Sequence, residues 1–206
     1  TTETGGGVTM LRPEFHTTDD VSRLGSVGRP DLDVEIAIRH PETRMPLAVG
    51  EVGEIWVRSG SNLIEYWGKP ELTADSVDGQ WYRTGDAGRV DDEGFLFLAD
   101  RVKDMIVTGG ENVYSIEVEN ALSSFPGVAQ AAVVGVPDPI WGERVHAFVV
   151  GQPDVLAEDG LAEHARSQIA AYKVPKSWTI QAEPLPLSAA GKVLKTELRQ
   201  RLASRK

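Results

Sequence analysis

TGDAGRVDDEGFLFLADRVKDMIVTGGENVYSIEVE, residues Thr84 to Glu119, joins two halves of different build. Val90-Asp91-Asp92-Glu93-Gly94-Phe95 reads as a hairpin, because an acidic turn closed by glycine lies between β-prone residues and glycine supplies the positive φ such turns need. Phe95 to Leu98 follows as a buried strand. Asp100-Arg101-Val102-Lys103-Asp104 then sets four charges in five residues ahead of the apolar Met105-Ile106-Val107 and the Gly109-Gly110 pair. A charged break between apolar strands belongs to neither core and predicts a domain junction, with 1–102 on one side and 103–206 on the other.

Upstream of the junction, from Gly25 to about Leu98, the pattern is β. Val34 to Ile38 alternates, as does Val52 to Val57, and the segments around Pro41 and Pro46 to Gly50 supply turns. Short strands with frequent turns predict a small barrel-like or sandwich subdomain. Pro70 to Ser76 predicts a short helix with proline in its first turn. Downstream, Met105 to Thr108, Val128 to Val136, Val145 to Val150 and Trp178 to Gln181 read as strands. Ser115 reads as the N-cap of a helix that Pro126 stops, Leu161, Ala165, Ile169 and Tyr172 mark a second helical face, and Lys195 to Ala203 a terminal helix. The expected fold is α+β: a β-barrel-like subdomain, then an α+β domain with helices on one side of a mainly antiparallel sheet.

At 206 residues and 41% hydrophobic, the chain can bury one large core or two small ones. The longest apolar run, Ala131 to Val136, is far short of the roughly 18 residues a membrane helix needs, so no transmembrane segment is expected and a cytoplasmic address is the default. The absence of cysteine excludes disulfides, thiolate metal sites and a cysteine nucleophile. His16, His40, His146 and His164 are scattered without ligand spacing, which argues against a histidine metal site or histidine base. The net charge of -10 argues against nucleic-acid binding. Residues 1–100 hold 9 basic and 19 acidic side chains, 101–206 hold 12 of each, and from Lys173 onward 8 basic residues face 2 acidic ones. That basic tail suits either a polyanionic small ligand or a solvated helix.

Tyr82-Arg83-Thr84-Gly85-Asp86, Asp100 to Asp104, Gly109-Gly110-Glu111-Asn112-Val113-Tyr114 with Glu117 and Glu119, and Pro186 to Lys192 form an ordered set of motifs. Together with Thr2-Glu3 at the start they resemble the AMP-forming acyl-CoA synthetases of the adenylate-forming superfamily over essentially the whole chain. The resemblance implies the C-terminal portion of such a ligase: the end of the large N-terminal domain with its β-barrel subdomain, a hinge, and the mobile α+β lid. Its substrates would be a small carboxylic acid, with a fatty acid as the guess, together with ATP, Mg²⁺ and CoA. Its polypeptide partner would be the remainder of its own N-terminal domain. Thr1 opens the chain as the interior of a larger protein would, and because the Gly/Ser/Thr-rich phosphate loop and acyl pocket that the resemblance implies are absent from it, these residues alone are expected to be inactive.

The resemblance also assigns residues. Lys192 would be catalytic, bridging the substrate carboxylate and the α-phosphate, where concentrated negative charge calls for a positioned cation. Thr2 would lie close to the phosphate and Glu3 would hold Mg²⁺. Asp86 would accept the two ribose hydroxyls and Arg101 would contact ribose or phosphate. Lys103 marks the hinge about which the lid turns between half-reactions, and Gly109 and Gly110 would line the CoA thread, where a Cβ would obstruct it. Ser115 stands where the family commonly has proline. Read without the family, Lys192 is a surface lysine, Thr2-Glu3 a solvated terminus, Asp86 a turn cap, Arg101 one half of an ion pair and Gly110 a hairpin glycine. Two other functions stay open: an adenylating domain that loads a carrier protein, and a non-catalytic ligand-binding module.

Overall fold

Alternation of apolar and polar residues over 34–58 builds the first sheet. A computed structural model describes residues 1–17, 21–152 and 155–204, and the chain divides into two compact units, Thr1–Lys103 and Asp104–Lys206. The first contains β1 (Thr9–Met10), β2 (Arg29–Pro30), β3 (Glu35–Arg39), β4 (Gly53–Arg58), α1 (Pro70–Ser76), β5 (Val77–Asp78), β6 (Trp81–Val90) and β7 (Leu96–Arg101). β1 and β2 form a two-stranded ribbon; β3, β4 and β6 run antiparallel in that order. The long β6 carries two strands on its far edge, β5 against its first residues and β7 against its last. Irregularities at Glu54/Trp56 and Ala87/Gly88 bend the strands, so the sheet curls into a half-barrel.

One face of this sheet packs Ile38, Ile55, Val57 and Leu96 beneath Val8, Val27, Val34 and Leu47. The other carries Trp56, wholly buried, and the nearly buried Glu54. The expected buried strand from Phe95 to Leu98 is buried only in its first half. Phe95 and Leu96 are enclosed, but Leu98 is 58% exposed. The backbone of Val27 and Gly28 bonds to that of Leu96, and Leu96 and Leu98, two residues apart on the same face, both line a cavity.

The second unit contains β8 (Ile106–Thr108), β9 (Glu111–Val113), α2 (Ser115–Ser123), β10 (Gln130–Asp138), β11 (Gly142–Val150), α3 (Glu158–Gln168), β12 (Ser177–Gln181) and α4 (Lys195–Ala203). β11 is central: β10 pairs with it antiparallel along nine residues, β12 parallel on its other edge, and β8 through the single pair Gly142↔Thr108. Val133, Val145, Ala147 and Val149 face the layer of Val118, Leu122, Leu161 and Ala165 from α2 and α3. The alternate residues Ala132, Val134, Phe148 and Val150 face Leu198 of α4. The sheet is therefore covered on both sides rather than one, which is what strands with apolar residues on both faces require.

Two local expectations also change. Ser115 is the first helical residue of α2 rather than its cap, and its fully buried hydroxyl takes a hydrogen bond from the Lys195 ammonium. The helical face expected to run to Tyr172 ends at Gln168, and Tyr172 lies in a separate single turn, 42% exposed.

Candidate active site

The hairpin at Asp91–Gly94 aligns β6 and β7 so that Val90 opposes Leu96 and Gly88 opposes Leu98. Unbroken, that register would place Asp86 opposite Asp100, carboxylate against carboxylate. The bulge at Ala87/Gly88 shifts it by one, and Asp86 opposes Arg101 instead. Asp86 Oδ1 lies 2.8 Å from Arg101 Nε in a half-exposed ion pair. The Asp86 backbone N–H donates to Thr84 Oγ1 at 3.0 Å, and Thr84 Oγ1 donates to the carbonyl of Ile55 at 2.8 Å, so the carboxylate springs from a fixed backbone.

Across this face lies the segment 1–9. A cavity of about 250 Å³ lies between Thr1, Thr4 and Gly6 on one side and Thr84, Asp86 and Leu98 on the other. Thr2 and Glu3 occupy the same helical turn but do not line the cavity. The carbonyl of Glu3 accepts from the Leu63 N–H at 2.7 Å, and its carboxylate accepts from the Tyr66 hydroxyl at 3.1 Å. Tyr66 in turn lies 3.4 Å from the Tyr82 hydroxyl. The Glu3 carboxyl is held below the usual carboxylate range, chiefly by a hydrogen bond from its own backbone N–H, with burial opposing and Tyr66, Thr1 and the terminal ammonium assisting. Tyr82 is pushed far up, first by burial, then by the Tyr66 hydrogen bond and the neighbouring carboxylates of Glu3 and Asp86. It stays a neutral phenol at any working pH.

In the second unit, Lys192 sits on a tight loop. Leu187 and Val193 bridge across its base, Ser188 N–H donates to the Lys192 carbonyl at 2.8 Å, and Gly191 turns with φ of 75°. The Lys192 side chain is exposed. Gly109 and Gly110, φ 60° and 85°, form the two-residue turn between β8 and β9. Lys103 is exposed in the short turn Val102–Asp104.

Of the six described basic residues of the tail from Lys173 onward, four are engaged. Lys173 pairs with Glu117 at 2.7 Å, Lys195 with Glu119 at 2.7 Å, Arg199 with Asp104 at 3.1 Å and Arg201 with Glu197 at 2.7 Å. Arg205 and Lys206 lie outside the described residues. Its composition thus reflects internal pairing more than a ligand field. Sequence reasoning missed Tyr66, whose only signal is an aromatic at a chain distance of 63 residues from its partner Glu3. Among the described residues no three His, Cys, Asp or Glu side chains gather as a metal cluster. No helix among them is long and apolar enough to cross a membrane.

The first unit holds a family match and so does the second: the model of AMP-binding enzymes matches residues 1–67, and that of the AMP-binding enzyme C-terminal domain matches 117–192. The chain belongs to the AMP-binding, adenylate-forming enzymes. Among curated members, a long-chain-fatty-acid–CoA ligase of Mycobacterium tuberculosis is 42% identical over 203 residues, 98% of this chain and 39% of its own. A fatty acid–[acyl-carrier-protein] ligase of Streptomyces coeruleorubidus is 41% identical over 97% of this chain and 38% of its own. Among solved AMP-binding enzymes, the o-succinylbenzoate CoA synthetase of Bacillus subtilis, in complex with its acyl-adenylate intermediate, superposes with a TM-score of 0.85 at 35% identity, covering 96% of this chain and 39% of that one. The chain thus spans about two fifths of the length of the AMP-binding enzymes it matches.

Proposed function

We propose that the whole protein is an AMP-forming acyl-CoA ligase and that these residues are the end of its large domain, its hinge and its small domain. In the first half-reaction a carboxylate oxygen of the acid attacks the α-phosphorus of ATP and pyrophosphate leaves. In the second, the thiol of CoA attacks the acyl carbonyl and AMP leaves. A fatty acid is the proposed acid, on the strength of the ligase 42% identical to this chain, and the cytoplasm the proposed setting.

The observation that carries this reading is the Asp86–Arg101 pair beside the cavity under segment 1–9, in a chain whose solved relative holds an acyl-adenylate. With Oδ1 committed to Arg101, the second oxygen of Asp86 is available to accept from ribose hydroxyls, while Arg101 reaches ribose or phosphate. Thr2 offers a hydroxyl to the phosphate. Lys192 supplies the ammonium that offsets charge building between carboxylate and α-phosphate. Lys103 lies in the connection about which the second unit reorients between half-reactions, and the Gly109–Gly110 turn faces the thiol carrier.

Glu3 fits a magnesium ligand. Its carboxyl is held ionised, its turn is pinned by Leu63, and one carboxylate with substrate phosphates is what that ion takes from a protein. When bound, the ion neutralises phosphate charge; the protein's own part is to keep Glu3 ionised and aimed through Tyr66.

Lys192→Ala in the full-length protein tests the reading. Acid-dependent ATP–pyrophosphate exchange is expected to fall by roughly 10²-fold or more, while thioester formation from supplied acyl-adenylate persists. Unchanged exchange would favour a non-catalytic module. Acyl transfer to a carrier protein but not to free CoA would favour the carrier-loading reading.

A further inference from the structure

A hairpin of three-residue strands is marginal by itself, and β8 joins the central strand through only one residue pair. Its placement depends on other bonds, and these come from the β10–β11 connection and the start of β11. Glu143 Oε2 accepts from the Val107 N–H at 2.9 Å, taking the place a backbone carbonyl of a neighbouring strand would fill. The carboxylate can lie there because residue 135 is glycine: a Cβ at Gly135 would stand 2.5 Å from Glu143 Oε1. One step along, the Gly109 N–H donates to the Trp141 carbonyl at 2.9 Å, and the Trp141 ring covers Gly109 so closely that a Cβ there would be 2.8 Å from Cε3. Asp138 Oδ1 secures that turn by accepting from the N–H groups of Ile140 and Trp141 at 3.0 and 3.1 Å.

We infer that Glu143 is a positioning residue for thioester formation: through the Val107 amide it fixes where the Gly109–Gly110 turn stands. The inference rests on the proposed role of that turn toward the thiol carrier. Glu143 makes no demand on the first half-reaction, whose lysine is on the separate 186–194 loop.

The test uses the full-length ligase and measures both half-reactions. Glu143→Ala is expected to raise the KM for CoA or lower thioester kcat by roughly tenfold, since small misplacements of positioning groups carry penalties of that order, while acid-dependent pyrophosphate exchange stays within about twofold. Glu143→Gln keeps an acceptor for Val107 and is expected to restore the second half-reaction. Gly135→Ala leaves Glu143 in the sequence but displaces its carboxylate, and is expected to reproduce the selective loss. A general weakening of the unit would depress both half-reactions together, because Lys192 is in the same unit. Equal losses in both, or no loss in Glu143→Ala, overturn the inference. A wild-type enzyme that makes acyl-adenylate but no thioester with CoA overturns instead the reading on which it rests.

Discussion

Glu54 shows what a single side chain can hold in place. It is 2% exposed, its Oε2 accepts from Trp56 Nε1 at 2.9 Å and from Arg83 Nε at 3.1 Å, and Arg39 stacks over the Trp56 ring at 4.3 Å. Removing the carboxylate strands the indole N–H and the Arg83 Nε–H, while Arg83 Nη1 keeps the carbonyl and carboxylate of Asp75. Glu54→Ala is therefore expected to destabilise the first unit by about 1–3 kcal/mol, read by urea denaturation, and Glu54→Gln, which still accepts from Trp56, by less. A loss below about 1 kcal/mol for the alanine variant would show that solvent reaches this layer. Alternation in β4 was legible from Val52 to Val57, but alternation by itself does not tell that both faces are closed. The second face is closed by Trp56 and the guanidiniums of Arg39 and Arg83, from three different strands, and no local pattern announces that. The partner of Asp86 was hidden for a related reason. Hairpin position was readable from Asp91 to Gly94, but the one-residue bulge that exchanges Asp100 for Arg101 is a property of strand curvature.

At the scale of elements, α4 was located to the residue and its packing misjudged. Its sequence, KTELRQRLA, is mostly polar, and Leu198 is its one residue buried completely. The better signal lay in its target: Ala131 to Val136 and Val145 to Val150 are apolar without alternation, so both faces needed cover. β9 was overlooked because Glu111-Asn112-Val113 offers a single apolar residue, and its strand character comes from the Gly109–Gly110 turn before it. Docking of α4 rests on Leu198 with the flanking pairs Lys195–Glu119 and Arg199–Asp104. Leu198→Ala is expected to cost about 2–5 kcal/mol in the second unit and to raise amide exchange across α4 and the facing residues of β10. If exchange rises uniformly through the unit, α4 is part of the global core and not a separately docked element.

For the molecule as a whole, the decisive quantity is how much of an adenylate-forming site these residues supply. The groups proposed to meet the nucleotide, Thr2, Glu3, Asp86 and Arg101, all belong to the first unit, where Asp86 lines a cavity of about 250 Å³. The groups proposed to act in catalysis and thiol entry, Lys192, Gly109 and Gly110, belong to the second. Ligases of this family are more than twice as long, since the chain covers 39% of the one from Mycobacterium tuberculosis. A transition state with charge on several phosphate oxygens needs fixed donors around all of them in a site that excludes water, and one threonine, one arginine and one lysine do not enclose it. The 206-residue chain is accordingly expected to show no acid-dependent ATP–pyrophosphate exchange, whereas the full-length protein shows it under the same conditions. AMP should still shift the amide resonances of Asp86 and Arg101 in the isolated chain, weakly and in the millimolar range, because the pair proposed to meet the ribose is already formed. Exchange activity in the isolated chain would mean that the acid and triphosphate sites lie within these residues. Absence of any AMP response at Asp86 would remove the ribose assignment, while leaving Lys192 to be judged by its own substitution.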